Sequence, residues 1–97
     1  MFEKFDYSEI KNRVVEILKA NHINVIMSWI DRNASDHSDC DIIFTSEEND
    51  ARIDEIKSFY SKTISNIFRS DVEFDDIVKN SNSVRFTCSF KIDANDF

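Results

Sequence analysis

The chain contains neither glycine nor proline in its 97 residues, although average usage of roughly 7% and 5% would predict about a dozen of them. Glycine enters left-handed and other tight backbone conformations without steric cost. Every turn is therefore expected to be made by Asn, Asp and Ser, which tolerate such conformations next best. Sites that need a glycine backbone are excluded, namely P-loops, dinucleotide-binding fingerprints and nucleophile elbows.

Composition and length predict one folded domain spanning residues 1–97. The sequence is 41% apolar, with nine Phe and one Trp, despite a net charge of −7, which is too hydrophobic for a disordered acidic tail. The start "MFEKFDYSEI" has no basic segment and no apolar run, and no stretch approaches the ~20 apolar residues of a membrane span. We therefore expect a cytoplasmic protein in which Cys40 and Cys88 are buried free thiols.

Two segments have the spacing of amphipathic helices. Asp6 and Glu9 form a capping box ahead of a first helix over residues 7–20, with Phe5 placed to pack against Ile10. Thr45 or Ser46 is the predicted cap of a second helix that ends near Arg69. The apolar stripe of that second helix is predicted to consist of Ile53, Ile56, Tyr60, Ile64, Ile67 and Phe68.

Four other segments alternate between apolar and polar residues, as strands do. The first strand is predicted over residues 23–30, with one side formed by Ile23, Val25, Met27 and Trp29. The inward residues of the second strand are predicted to be Cys40, Ile42 and Phe44, those of the third Val72 and Phe74. The fourth strand alternates most clearly, through Val84, Phe86, Cys88, Phe90 and Ile92.

The predicted order is thus αββαββ, an α+β fold. Two hairpins can join into a four-stranded antiparallel sheet that is apolar on one face and polar on the other. Both helices are then expected to pack on the apolar face.

The negative charge is concentrated in two segments. Residues 31–55 carry nine acids against Arg32 and Arg52, and residues 71–76 carry four acids and no base, whereas residues 1–30 are neutral overall. Three acids, Glu47, Glu48 and Asp50, are expected in the first turn of the second helix, where the macrodipole stabilises carboxylates. The candidate partner-binding residues are all thirteen acids of the two segments: Asp31, Asp36, Asp39, Asp41, Glu47, Glu48, Asp50, Asp54, Glu55, Asp71, Glu73, Asp75 and Asp76.

Metal sites and catalytic sites fit the sequence poorly. His37 and Cys40 have the spacing of a zinc pair, but only His22 and Cys88 remain as distant further ligands. A calcium loop starting at Asp36 would place Asp41 at the sixth position, where glycine is required. No Ser or Cys has a recognisable base partner, and paired carboxylates need a pocket to separate their pKa values. We expect no catalytic residue, no metal and no cofactor.

The carboxylates are spaced so that they can copy the phosphates of a nucleic acid. Side chains at i and i+2 on a strand stand roughly 6.6–6.8 Å apart, of the same order as successive phosphates along a DNA strand. Asp39 with Asp41, and Glu73 with Asp75, have this spacing. A basic groove would accept such a surface, whereas like charge disfavours direct binding to nucleic acid. No membrane partner is expected.

The size of the chain and the acids of "DRNASDHSDCD", "SEENDARIDE" and "DVEFDD" resemble the small acidic phage anti-CRISPR proteins of the DNA-mimic type. The resemblance implies a protein in the bacterial host that occupies the duplex-binding basic groove of a type I-F CRISPR surveillance complex. Target DNA would then be unable to load, and inhibition would require neither a cofactor nor a reaction.

Other interpretations fit the same charge. The protein is alternatively an immunity protein that neutralises a nuclease toxin, or a DNA mimic directed against a restriction enzyme. The acids are also compatible with an ordinary solvated surface, because acidic surfaces aid solubility without binding anything. An enzyme would need a pocket lined by acids with perturbed pKa values.

Overall fold

Two helices and four antiparallel strands follow one another in the predicted αββαββ order in the computed structural model, which describes residues 4–33 and 35–97. The elements are α1 Tyr7–Ala20, β1 Met27–Arg32, β2 Asp39–Asn49, a 3₁₀ turn Asp50–Arg52, α2 Ile53–Phe68, β3 Glu73–Lys79, β4 Ser83–Asp93 and a 3₁₀ turn Ala94–Asp96. The predicted α+β class is therefore confirmed.

The two hairpins join through their second strands, so that the strand order is β1-β2-β4-β3. β2 pairs with β4 over eleven residues, from Asp39 opposite Asp93 to Asn49 opposite Ser83. β1 and β3 are the edges of the sheet, and β3 contains a bulge between Asp76 and Val78. The long central pair brings together acidic residues that are far apart in the sequence.

One face of the sheet carries the core. The inward residues of β4 and β2 are buried, as the alternation predicted, and α2 packs on them through Tyr60, whose ring lies 6.4 Å from Phe44 and 6.0 Å from Phe86 between centroids. Val14 and Leu18 of α1 are buried in the same cluster. Cys40 and Cys88 are buried free thiols, four residue positions apart along the paired strands β2 and β4. Their Cα atoms are therefore roughly 13 Å apart, whereas a disulfide requires Cα atoms within about 7 Å.

The ends of α1 follow the sequence prediction. Asp6 accepts a hydrogen bond from the backbone N–H of Glu9 at 3.1 Å, and α1 begins at Tyr7 and ends at Ala20 as predicted. After α1, the N–H of Ile23 donates to the carbonyl of Leu18 and that of His22 to Lys19, which is a Schellman motif.

The left-handed turn positions differ from the prediction. In the described part of the chain they are occupied by His22, two residues after α1, with φ 66°, and by Arg69, directly after α2, with φ 57°, and not by Asn, Asp or Ser. These residues pay a steric cost that glycine would avoid. The hydrogen bonds that close each helix hold them there.

The predicted start of α2 was wrong. β2 continues through Thr45 and Ser46 to Asn49, and the helix begins only at Ile53. Ser46 is fully buried, lies opposite Phe86 in the sheet and has its hydroxyl 3.0 Å from that of Tyr60. Pairing with the long β4 therefore prevails over the local capping signal. The end of α2 at Phe68, followed by Arg69, agrees with the prediction.

This shift changes which acids the helix dipole stabilises. Glu47 and Glu48 are strand residues, and Asp50 lies in the 3₁₀ turn before the helix. The acids in the first turn of α2 are instead Asp54 and Glu55. The macrodipole therefore does not explain the charge of residues 47–50.

The predicted face of β1 was also wrong. Ile23 and Val25 do pack on the core, but the chain bends at Ile26 and the strand begins at Met27. The bend reverses the alternation, so that Ser28 and Ile30 lie opposite Phe44 and Ile42 on the core side. Met27 and Trp29 consequently project from the other face.

One residue of the predicted apolar stripe of α2 lies outside the core, because Ile67 remains 38% exposed.

In the described part of the chain, neither helix has the length and apolar character of a membrane span.

Candidate partner-binding surface

The four strands present one face of the sheet on the side opposite the helices, and we call it the open face. Its members follow from the register and the alternation of each strand. They are Met27, Trp29 and Asp31 of β1; Asp39, Asp41, Ile43, Thr45, Glu47 and Asn49 of β2; Ser83, Arg85, Thr87, Ser89, Lys91 and Asp93 of β4; and Glu73, Asp75 and Val78 of β3.

The open face is strongly acidic. It carries seven carboxylates and two cations, hence five negative charges in excess. Arg85 pairs with Glu47 at 3.6 Å between Nε and Oε1, and Lys91 lies directly opposite Asp41. Within the described residues, no ion pair engages the other open-face acids, which are Asp31, Asp39, Glu73, Asp75 and Asp93.

Two pairs of acids on the open face lie directly opposite each other on neighbouring strands. Asp31 is the register partner of Asp41 between β1 and β2, and Asp39 is that of Asp93 between β2 and β4. Directly opposed side chains have Cβ atoms about 4.5–5.5 Å apart, and like charges at that distance destabilise the sheet. A lysine at position 31 would replace the repulsion from Asp41 with an attraction, so folding does not explain the charge of Asp31. Asp39 and Asp93 also accept hydrogen bonds, from the side chain of Asn33 at 3.4 Å and from the backbone N–H of Asn95 at 2.9 Å.

The two acidic segments of the sequence meet on this face. A concavity of about 530 Å³ is lined by Asp41 from the first segment and by Asp71, Glu73 and Asp75 from the second. The hydroxyl of Ser70 accepts a hydrogen bond from the backbone N–H of Lys91 at 2.9 Å. This bond fixes the chain that leads into β3 against β4 and thereby places Asp71 at the rim of the concavity.

Seven of the thirteen predicted partner-binding residues thus lie on the open face or at its concavity: Asp31, Asp39, Asp41, Glu47, Asp71, Glu73 and Asp75. The other six are distributed over the loop, the 3₁₀ turn, α2 and the core-side positions of the sheet: Asp36, Glu48, Asp50, Asp54, Glu55 and Asp76.

Most of these six acids already interact within the protein. The pairs, measured from nitrogen to oxygen, are Lys57 with Asp76 at 2.6 Å, Arg52 with Glu55 at 3.3 Å and Lys79 with Asp50 at 3.6 Å. Glu48 accepts a hydrogen bond from the hydroxyl of Tyr60 at 2.8 Å. Hydrogen bonds from the hydroxyl and backbone N–H of Ser38 hold the pKa of Asp36 below its usual range. The remaining acid, Asp54, is exposed on α2.

Asp93, Met27 and Trp29 are among the members of the open face that were not predicted. Asp93 ends the alternation of β4 on the polar side, so its position could have been found from the sequence. Met27 and Trp29 could not, because the bend at Ile26 changes the face on which they lie. Trp29 is 37% and Met27 62% exposed, and Trp29 is the register partner of the half-buried Ile43.

The surface offers groups that bind basic side chains. Carboxylates are acceptors for lysine and arginine, and arginine can bind them with two parallel hydrogen bonds. In the part of the chain described, no group of three or more His, Cys, Asp or Glu side chains is arranged to hold a metal ion.

Replacing Asp31 with lysine should raise the free energy of unfolding by about 0.2–1 kcal/mol, because a like-charge pair with Asp41 becomes an opposite-charge pair. Urea denaturation followed by circular dichroism measures the change. The matched control is Glu73→Lys, which alters the net charge equally on the other edge strand but faces the neutral Ser89. If both variants are stabilised equally, only the total charge matters and the opposed pair has no energetic effect.

Comparison of the sequence with protein-family models, and of the chain with curated proteins and solved structures, finds no match.

Proposed function

We propose that this protein is an inhibitor that presents DNA-like negative charge to the duplex-binding groove of a type I-F CRISPR surveillance complex and so blocks the loading of target DNA. The single observation that carries the proposal is the charge of the open face, which contains seven carboxylates and only two cations. Two opposed acid pairs are maintained there at a cost in stability. A partner that supplies lysine and arginine would remove that cost on binding.

The arrangement of the acids supports mimicry of a duplex. Asp39 and Asp41 are successive open-face residues of β2, and Glu73 and Asp75 are successive open-face residues of β3, which gives about 6.6–6.8 Å between neighbours. β4 separates the two strands, so β2 and β3 lie roughly 9.4–9.8 Å apart, and the register places Glu73 two residues further along the sheet than Asp41. The nearest acids of the two rows, Asp41 and Glu73, are therefore roughly 12 Å apart, close to the width of the major groove of B-DNA, about 12 Å.

Electrostatics determine how such an inhibitor competes. A groove that neutralises phosphates has a positive potential, which can raise the association rate of a complementary surface by 10 to 10³. The same attraction weakens as salt increases, because added salt shortens the Debye length, which is about 8 Å at physiological ionic strength. The inhibitor and the target duplex should therefore be mutually exclusive, and both should bind more weakly at high salt.

The decisive experiment measures competition at an immobilised type I-F surveillance complex. Complex incubated first with the protein should fail to load a labelled target duplex that carries the adjacent motif, and the required protein concentration should increase with salt. The control is the same duplex offered to complex treated with an unrelated acidic protein of equal net charge. Simultaneous binding of protein and duplex would contradict mimicry, as would the absence of any binding to the complex.

A further inference from the structure

We infer that the open face recognises its partner through an aromatic anchor, Trp29, in addition to charge. Its occupant is a folded protein surface that presents an apolar cleft between lysine and arginine side chains. The identity of that partner as the surveillance complex rests on the proposed function. The role of Trp29 does not.

The fold does not require an apolar residue at position 29. β1 contributes to the core through Ser28 and Ile30, which lie opposite Phe44 and Ile42. Trp29 projects from the other face with 37% of its surface exposed. Large apolar groups that are exposed in a contiguous patch mark binding sites more often than single scattered ones do.

Trp29 is part of such a patch. Met27 is the next open-face residue on the same strand and is 62% exposed. Ile43 extends the patch onto β2 as the register partner of Trp29. The patch therefore covers the edge strand and its neighbour.

Acids surround the patch on the sheet. Asp31 and Asp41 form the next row beyond Trp29 and Ile43, and Glu47 lies beyond Thr45 on the other side. An apolar centre with a charged rim is the organisation of specific protein interfaces, in which Trp is enriched among the residues that dominate binding energy. A copy of a phosphate backbone alone would need no such centre.

Charge decides which occupant the face accepts. A second copy of this chain would place five excess negative charges against five others, and a nucleic acid would place phosphates there, so both are repelled. A basic protein surface complements the rim, and an apolar cleft within it accepts the indole. Trp29 thereby selects among basic grooves that charge alone would not distinguish.

The first test compares Trp29→Ala with Phe59→Ala in binding to the type I-F surveillance complex. Phe59 is the matched control, because it is an aromatic residue 44% exposed on α2, away from the open face. Trp29→Ala should weaken binding by roughly 30-fold or more, as loss of a central tryptophan does, without changing the salt dependence. Phe59→Ala should change affinity less than about threefold. If the complex binds both variants as it binds the parent protein, the inference is overturned while the proposed function stands.

A second test applies if the complex does not bind at all, which would overturn the proposed function. Two peptides of equal charge are titrated into the protein, one alternating Lys with Leu and one alternating Lys with Ser. The Lys/Leu peptide should bind at least tenfold more tightly and shift the emission of the single tryptophan to shorter wavelength, and calorimetry with Trp29→Ala should show the preference lost. Equal binding of the two peptides, or binding of neither, would overturn the inference.

Discussion

Replacing Asp39 and Asp41 together with lysine should weaken binding to the surveillance complex by roughly a hundredfold or more, because lysines placed against a basic groove repel it by several kcal/mol. Both residues are open-face members of β2, the strand that contributes Ile43 to the apolar patch and Asp41 to the concavity. Surface plasmon resonance at two salt concentrations measures the loss. The slope of affinity against salt should also decrease, because fewer charges are neutralised.

The same double reversal on the helical side is the control. Asp54 and Glu55 are adjacent acids in the first turn of α2, on the layer that covers the opposite face of the sheet. Asp54→Lys with Glu55→Lys changes the net charge equally but should weaken binding less than about tenfold, through the long-range field alone. A large loss with this pair and none with Asp39 and Asp41 would place the interface on the helices.

Folding should not account for the loss. Asp39→Lys removes the repulsion from Asp93, and Asp41→Lys exchanges the repulsion from Asp31 for one from Lys91. The two effects of Asp41→Lys largely cancel and Asp39→Lys should stabilise slightly, so the free energy of unfolding should stay within about 1 kcal/mol of the parent protein, as for most exposed substitutions.

Elements specified by short-range patterns were predicted well. The limits of α1 follow from Asp6 and from the polar residues after Ala20, all within a few positions of the helix. β4 was predicted by the simple alternation of Val84 to Ile92, and each of these inward residues is buried. In both cases the local signal and the final packing agree.

The failures occurred where a distant strand determined the conformation. Ser46 is of a residue type that caps helices, but its pairing with Phe86, forty residues later, extends β2 past it. Trp29 continues an apolar alternation, but the bend at Ile26 turns it away from the core. A sequence pattern cannot reveal either outcome, because each depends on the register between strands.

The sequence predicted the acidic character of the site but only some of the residues that form it. The two acidic segments were visible as charge, but their convergence around one concavity depends on β2 and β3 both flanking β4. Six of the thirteen acids lie away from the open face, among them Glu48, which the register of β2 directs towards Tyr60. Charge counting finds the segments, and strand order decides which members act together.

Replacing Tyr60 with phenylalanine should have the largest effect on stability, a loss of about 3 kcal/mol. The hydroxyl of Tyr60 donates to Glu48 at 2.8 Å and accepts from the backbone N–H of Asn24 at 3.1 Å. Because its one proton is directed to the carboxylate, the hydroxyl of Ser46 at 3.0 Å must be the donor to it. Loss of this oxygen leaves several groups without their partner, at about 1–3 kcal/mol for a buried one such as Ser46.

Thermal denaturation should show this loss as a decrease in Tm of roughly 12–24 °C. The control is Tyr7→Phe, which removes a hydroxyl that donates to the carbonyl of His37 in a half-buried position and should cost less than about 1.5 kcal/mol. Adding Ser46→Ala to Tyr60→Phe should recover part of the stability, because the unpartnered hydroxyl is removed as well. If the double variant is less stable than Tyr60→Phe, the network is not organised around the tyrosine.

The dependence of stability on alkaline pH tests the same network, because it reports the ionisation of the Tyr60 hydroxyl. Burial raises the pKa of Tyr60 to about 12, against about 10 in the unfolded chain, so the tyrosine stabilises the fold fully below pH 10 and loses that contribution between pH 10 and 12. Burial also raises the pKa of Cys88 above its usual range. The stabilising contribution of this thiol therefore begins to be lost near pH 8.5, where unfolded thiols ionise. The free energy of unfolding should thus fall in two stages, each group contributing up to about 1.4 kcal/mol per pH unit.

Urea denaturation between pH 8 and 11 separates the two stages. Tyr60→Phe should reduce the slope above pH 10 and leave the slope between pH 8.5 and 10 unchanged, whereas Cys88→Ala should reduce the earlier slope. An unchanged slope above pH 10 in Tyr60→Phe would mean that the tyrosine hydroxyl is accessible to water in the folded protein. The segment before β1, the end of β2 and α2 would then not enclose this hydroxyl, and the extension of β2 that places Glu47 on the open face would need another cause.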